Sequence, residues 1–182
     1  SYGDYLRSGS IAKLSPIMQS VVAFANKGFP VMGICNGFQI LCESGLLPGA
    51  LLRNTNQKFI CQNSLLKVEN TKTILTSQLQ SNRRYKIPIA HGEGRFFANP
   101  ETIASMEAHQ QILFRYVDDN LEASEQANPN GSVKNIAGIC NTNKNVFGMM
   151  PHPERAADLA LNNQDGEGFF LSILHHFEHE LA

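Results

Sequence analysis

The chain of 182 residues carries 15 lysines and arginines against 16 aspartates and glutamates, a formal net charge of −1. This balance excludes the strongly basic surface that binding to a nucleic-acid backbone requires. With 42% hydrophobic and 17% charged residues, the composition is typical of one globular domain with a substantial core. No apolar run approaches the roughly 18 residues that a membrane helix needs.

The four cysteines stand at positions 35, 42, 61 and 140. They lack the short paired spacing of a zinc site, and a chain of this size does not need disulfides to fold. We therefore predict free thiols in a reducing cytoplasm in preference to two disulfides. The first residue is Ser1, and no basic-then-apolar leader follows it.

The first part of the chain predicts a helix, a strand and a second helix. Ser15 and Pro16 are typical of a helix start, and an apolar stripe runs on to Gly28. Residues 30–34 form a short apolar run that predicts a buried strand. Apolar residues after Cys35 then predict a short helix that ends at Gly45.

Five further apolar segments predict strands, at residues 65–69, 85–90, 112–118, 136–141 and 146–150. Residues 128–131, Asn-Pro-Asn-Gly, predict a turn, and residues 168–181 have helical spacing. Strands mixed with helices favour a layered α/β domain.

The segment Gly33-Ile34-Cys35-Asn36-Gly37 has the form of a nucleophile elbow with a thiol. The two glycines would let strand and helix approach closely. The helix dipole would favour the thiolate of Cys35, and the N–H of Asn36 would stabilise an oxyanion. A buried cysteine in a glycine-containing turn is the alternative interpretation of this pentapeptide.

His152 and Glu154 are the best candidates for the base and its orienting acid. A thiol nucleophile needs a base, and the base needs an acceptor that fixes its tautomer. In an extended His-Pro-Glu segment, side chains two apart face the same side. A surface loop is the alternative for a histidine between two prolines.

The other histidines are weaker candidates. His175 and His179 are four apart, as in a metal pair, but no third ligand is evident, so we predict a solvated helix end and no metal. His91, Glu93 and Arg95 belong to a glycine-spaced polar run after a predicted strand, which is typical either of a binding loop or of a plain turn.

Cys35, Gln39, His152 and Glu154 together resemble the signature of the class I (triad) glutamine amidotransferases, a G-x-C-x-G-x-Q elbow followed late in the chain by His-x-Glu. Five ordered segments, 2–7, 33–39, 45–51, 90–96 and 148–155, narrow the resemblance to one branch. This branch comprises the glutaminase subunits of phosphoribosylformylglycinamidine synthase, in purine biosynthesis. The similarity covers essentially the whole chain.

The resemblance implies a three-layer fold with a mostly parallel central sheet, in a single domain over residues 1–182. It implies that Cys35 attacks the carboxamide of glutamine, that His152 transfers the proton and that Glu154 orients His152. Gln39 matches the family's glutamine-binding position. No cofactor or metal is implied for this chain.

The released ammonia must stay unprotonated and shielded from water, which implies docking onto the synthetase subunit. That partner would bind ATP, magnesium and formylglycinamide ribonucleotide. The loop with His91, Glu93 and Arg95 is assigned, by resemblance, to the interface with it or to the coupling of the two subunits. The resemblance leaves open whether a small third subunit joins the complex.

One departure concerns the start of the chain. Members of the family begin with a strand–helix–strand segment and a glycine-rich turn that supplies the second oxyanion N–H. Both are expected ahead of Ser1 and are missing from this sequence, so we expect the activity of the full-length protein and not of this stretch alone. Ser8, where the branch often has cysteine, is a minor departure.

Two other classes of function fit parts of the pattern. A stand-alone cysteine hydrolase or peptidase commonly has its base and acid far apart in sequence, unlike His152 and Glu154. A regulatory module with a vestigial triad is disfavoured by the intact cysteine, histidine and glutamate.

Overall fold

The computed structural model describes residues 8–180. The first family-like segment, residues 2–7, lies outside this range, as does the end of the predicted C-terminal helix. Within residues 8–180, no helix has both the length and the apolar character that crossing a bilayer requires.

Six strands form one mixed sheet in the order β1-β8-β7-β6-β3-β4. The strands are β1 (Val31–Ile34), β3 (Ile60–Val68), β4 (Tyr85–His91), β6 (Ile112–Tyr116), β7 (Ile136–Cys140) and β8 (Val146–Met149). Two short strands, β2 (Ala50–Leu52) and β5 (Arg95–Phe97), pair antiparallel in a separate ribbon. The long sheet forms because apolar residues fill both of its faces.

Helices cover the two faces of the sheet. On one face, Phe38 of α3 (Asn36–Glu43) and Ile103 of α4 (Pro100–Ala108) join a single apolar cluster. On the other face, Phe169 of α5 (Glu167–Glu180) packs in a second cluster. The remaining helices are α1 (Ser8–Ala12) and α2 (Ile17–Asn26). Helix, sheet and helix make the three layers that were expected, and the α/β class is confirmed.

The expectation of a mostly parallel sheet holds for only part of the described strands. β1 and β8 run parallel, with Gly33 opposite Gly148. Every other neighbouring pair of the six-stranded sheet is antiparallel. The parallel arrangement is therefore limited to the two strands whose carboxyl ends lead into the predicted elbow and the predicted His-Pro-Glu segment.

Several element boundaries differ from the prediction. β3 begins at Ile60 instead of residue 65. The sequence did not predict this first part, because residues 61–63 are all exposed and show no apolar alternation. Helix α2 begins one residue later than expected, and Ile17 of its predicted apolar stripe is 64% exposed. Helix α4 and strands β2 and β5 were not predicted.

Candidate active site

Cys35 lies on a sharp turn between strand β1 and helix α3, as the elbow pattern predicted. Its φ of 53° and ψ of −106° fall outside the regions that non-glycine residues normally occupy. Cys35 N–H donates to the carbonyl of Met149 at 2.8 Å, so the turn is attached to β8. Strained backbone of this kind is typical of functional sites, where the surrounding structure enforces it.

Of the two glycines in the elbow, only Gly33 is sterically required by the described residues. A Cβ at Gly33 would lie 2.5 Å from the carbonyl carbon of Gly37, so the close contact between β1 and α3 needs glycine there. A Cβ at Gly37 would meet no described atom within 4 Å. The prediction that both glycines serve this approach was therefore wrong for Gly37.

Asn36 begins helix α3, directly after the thiol. The first backbone N–H groups of a helix have no acceptor within the helix itself and lie at the positive end of its dipole. This is where the sequence placed an oxyanion donor, and the position fits that prediction. The side chain of Asn36 is buried and donates to the Gln39 side-chain oxygen at 2.7 Å.

His152 and Glu154 are in direct contact. The Nδ1 atom of His152 lies 2.6 Å from Oε1 of Glu154, and His152 is only 5% exposed. A carboxylate at Nδ1 favours the tautomer with the proton on that nitrogen. The Nε2 atom is buried and has no hydrogen-bond partner among the described residues, which leaves its lone pair for a proton from elsewhere.

The local backbone around this pair differs from the prediction. Residues Pro153–Ala156 form a 3-10 helix instead of an extended segment. The contact between His152 and Glu154 is therefore made across the first turn of a helix, with His152 at its N-cap position. Proline fixes φ near the helical value and tolerates the first position of a helix, which explains why the turn starts at Pro153.

Glu154 is held in its ionised form. Desolvation by partial burial raises the pKa of this carboxyl, but the hydrogen bond from His152, a backbone hydrogen bond and the nearby Arg155 guanidinium outweigh it. The net pKa of Glu154 is lowered. An ionised acceptor is what orients an imidazole and stabilises its protonated form.

Strand β4 brings the elbow and the histidine together. The Cys35 Sγ atom lies 3.8 Å from the carbonyl oxygen of Ala90, and the His152 N–H donates to the carbonyl of Pro88 at 2.8 Å. Residues two apart on a strand are separated by about 6–7 Å. Cys35 and His152 therefore contact the same strand, at carbonyls two residues apart.

Gln39 lies about one turn beyond Asn36 on α3. Its side chain is 7% exposed, and its amide donates to the carbonyl of Glu93 at 2.7 Å. Gln39 and Glu93 line a cavity of about 300 Å³ whose other walls include Gly9, Gly49 and Leu51. The predicted glutamine-binding residue thus lies beside a cavity, although neither Cys35 nor His152 is among the residues that line it.

Two of the three residues predicted for the loop at 91–95 are buried. His91 and Glu93 are 2% and 6% exposed, because the loop packs inside the chain. The His91 ring lies 3.2 Å from Asn54 Oδ1, through its Nδ1 atom. Arg95 is partly exposed, and its Nε donates to the carbonyl of Arg53. The assignment of His91, Glu93 and Arg95 to interface or coupling stays a prediction.

Sequence reasoning missed the polar residues that surround this loop. Asn54, Asn130 and Ser132 are almost completely buried and hydrogen-bonded to it. Asn130 was predicted only as part of a turn. The asparagines in this turn were the available signal. A buried asparagine amide needs hydrogen-bond partners, so these residues could have been expected to bond to a neighbouring loop.

The remaining titratable residues do not form a second site. Among residues 8–180, no group of three or more histidine, cysteine or acidic side chains is placed to hold a metal ion. None of the four cysteines forms a disulfide, which confirms the predicted thiols. Burial raises the pKa of Cys42 and raises that of Cys140 to about 11, so both are poor nucleophiles, whereas Cys61 is exposed.

Comparison with known proteins identifies the family. The family described as the CobB/CobQ-like glutamine amidotransferase domain matches residues 1–170. "Phosphoribosylformylglycinamidine synthase subunit PurQ" from Chlorobium luteolum is 57% identical over 173 residues, 95% of this chain and 75% of the relative. The protein of the same name from Moorella thermoacetica is 53% identical, over 98% of this chain and 75% of the relative.

Solved structures agree with these relatives. The structure of PurLQS from Thermotoga maritima contains a chain that is 43% identical, with a TM-score of 0.83, covering 97% of this chain and 76% of that one. A glutamine amidotransferase from the same organism, 15% identical with a TM-score of 0.53 over 99% of this chain and 61% of that one, shares the fold. The chain belongs to the CobB/CobQ-like glutamine amidotransferase family.

Proposed function

We propose that the chain is the glutaminase subunit of phosphoribosylformylglycinamidine synthase, which releases ammonia from glutamine through Cys35, His152 and Glu154. The relatives at 51–57% identity carry the subunit's name over most of the chain. The observation that supports the site best is the His152–Glu154 pair, with Nε2 open, next to the strand against which the Cys35 sulfur lies.

The chemistry follows from the roles of the three groups. His152 Nε2 takes the thiol proton as Cys35 Sγ bonds to the amide carbon of glutamine. The tetrahedral oxyanion faces the N–H of Asn36. When the C–N bond breaks, the imidazolium returns the proton to the leaving nitrogen, so ammonia departs and a γ-glutamyl thioester remains. Water, deprotonated by His152, then adds to the thioester. The C–S bond breaks, glutamate is released, and the imidazolium returns the proton to the Cys35 thiolate.

The ammonia is used by the synthetase partner. That subunit converts formylglycinamide ribonucleotide into formylglycinamidine ribonucleotide, and it would hold ATP and magnesium. The solved relative of this chain is named as part of PurLQS, which supports both a synthetase partner and a small third subunit. Thioester chemistry needs no cofactor in this chain. The proposal treats residues 1–182 as one domain. It places the protein in the cytoplasm.

A stand-alone cysteine hydrolase or peptidase is the alternative function. It is not favoured, because the relatives over nearly the whole chain are subunits of an amidotransferase.

Replacement of the nucleophile tests the proposal. In the assembled complex of the full-length protein, Cys35→Ala should abolish synthesis from glutamine, because no thioester can form, and should leave synthesis from added ammonia unchanged. The measurement is the rate of product formation with each nitrogen source. Cys61→Ala, which removes an exposed thiol, is the matched control and should leave both rates unchanged. Continued glutamine use by Cys35→Ala would exclude Cys35 as the nucleophile.

A further inference from the structure

The turn at residues 128–132 is attached to the loop at 91–95 by buried hydrogen bonds. Asn130 and Ser132 are 0% and 2% exposed. The Asn130 amide donates to the carbonyl of Gly94 at 2.9 Å. Ser132 Oγ accepts from Phe96 N–H at 3.0 Å and lies 2.7 Å from Asn130 Oδ1, which orients that amide. The turn thus holds the loop from one side.

The same loop holds the glutamine-site residue from the other side. The carbonyl of Glu93, next to Gly94, accepts from the Gln39 amide at 2.7 Å. The Gln39 oxygen in turn accepts from Asn36, the residue directly after the thiol. Buried hydrogen bonds, joined by the backbone of Glu93 and Gly94, therefore lead from Asn130 to the elbow.

The loop between these contacts has little freedom. Asn54 Oδ1 accepts from the Gly94 N–H at 3.1 Å and lies 3.2 Å from His91 Nδ1. A Cβ at Gly94 would come within 2.2–2.5 Å of the His91 ring. Since the loop is closely packed, a shift at Gly94 would be transmitted to Glu93 instead of being absorbed.

We propose that Asn130 is a positioning residue for the glutamine site: its amide fixes the Gly94 carbonyl and thereby the Glu93 carbonyl that orients Gln39. The inference rests on the proposed function, since Gln39 matters only if glutamine is the substrate. Asn130 does not touch the substrate and acts through the loop.

Asn130→Asp tests this with a nearly isosteric change. The carboxylate keeps the acceptor for Ser132 but replaces the donor to Gly94, so carboxylate and carbonyl repel. In the assembled complex of the full-length protein, we expect kcat/KM for glutamine to fall about tenfold to a hundredfold, chiefly through KM, as for a small misplacement of a binding group. Synthesis from added ammonia should be unchanged.

Alkylation of Cys35 distinguishes a loss of glutamine positioning from a general disruption of the structure around the thiol. A glutamine-like chloroketone should label Cys35 of Asn130→Asp at least about tenfold more slowly than wild type. Iodoacetamide, which needs only an accessible thiol, should label both at similar rates. Asn143→Asp makes the same change in the exposed turn between β7 and β8 and should behave as wild type.

The outcomes are distinguishable. An unchanged glutamine KM in Asn130→Asp overturns the inference, and so does an equal loss of labelling by both reagents. If that variant does not fold, Ser132→Ala decides: a raised glutamine KM supports the inference, and a wild-type KM overturns it. Absence of chloroketone labelling in the wild-type protein would remove the proposed function itself, and the inference with it.

Discussion

The position of each side chain in the proposed site is fixed by contacts with one or two neighbouring residues. Cys35 is placed by a backbone turn with φ of 53°, and His152 has Nδ1 engaged by Glu154 at 2.6 Å. The sequence motifs identified these three residues because an elbow cysteine followed by a His-x-Glu segment is typical of a thiol triad. The motifs did not reveal Asn130 or Ser132, since asparagine and serine in a turn usually face solvent.

At the residue scale, the two members of the His-Pro-Glu segment should differ in importance. His152→Ala removes the proposed base and should lower glutamine-dependent synthesis by about 10²–10⁴-fold, which is the usual rate contribution of general acid–base catalysis. Glu154→Ala removes only the acceptor that orients the ring, so its loss should be smaller. Steady-state rates with glutamine, and with ammonia as control, make the comparison. A larger loss for Glu154→Ala than for His152→Ala would contradict the assigned roles.

At the scale of elements, apolar runs predicted the six strands of the main sheet but not all of their ends. β2 and β5 have three residues each, too few for any period to be recognised. Helix α4 was missed because only Ile103 and Met106 of its nine residues are buried, which leaves no continuous stripe. Asn99 and Pro100 were the usable signal: Asn99 caps α4 by accepting from Thr102 N–H at 2.7 Å.

The junction of β1 and α3 gives a prediction with a built-in control. Gly33→Ala should lower the free energy of unfolding by about 1–3 kcal/mol, because the added methyl group would overlap the backbone of Gly37. Gly37→Ala should instead raise it by up to about 1 kcal/mol, because alanine is the better helix former and meets no described atom. Urea unfolding of both variants measures the difference. Equal effects would show that the contact between strand and helix does not require glycine at 33.

At the scale of the whole molecule, the relative directions of the strands could not be predicted from the sequence. Directions depend on which strands become neighbours, and the apolar pattern within a strand is compatible with several neighbours. The family resemblance implied mostly parallel strands, whereas the described sheet is parallel only at β1 and β8. The layered α/β class was predictable from the mixture of strands and helices, whereas the three-layer arrangement was implied by the family resemblance.

Asn145 links distant parts of the chain and should contribute to global stability. Its buried amide donates to the carbonyls of Ala25 and Phe29 at 2.8 and 2.9 Å, which joins the end of α2 to the start of β8. Asn145→Ala leaves both acceptors without this donor and should cost about 1–3 kcal/mol. For a chain of this size, that is a fall in Tm of about 2–12 °C. Asn143→Ala, in the same turn but exposed, is the matched control and should leave Tm unchanged; a fall in Tm for both variants would point to the turn itself.

Strand β4 contacts both segments of the proposed site: the Ala90 carbonyl lies against the Cys35 thiol, and the Pro88 carbonyl accepts from the His152 N–H. Pro88 lacks an N–H, but its carbonyl remains available to hold His152. These two carbonyls are two residues apart on β4, so one strand contacts both segments of the proposed site. A one-residue slip of β4 would therefore displace both contacts at once.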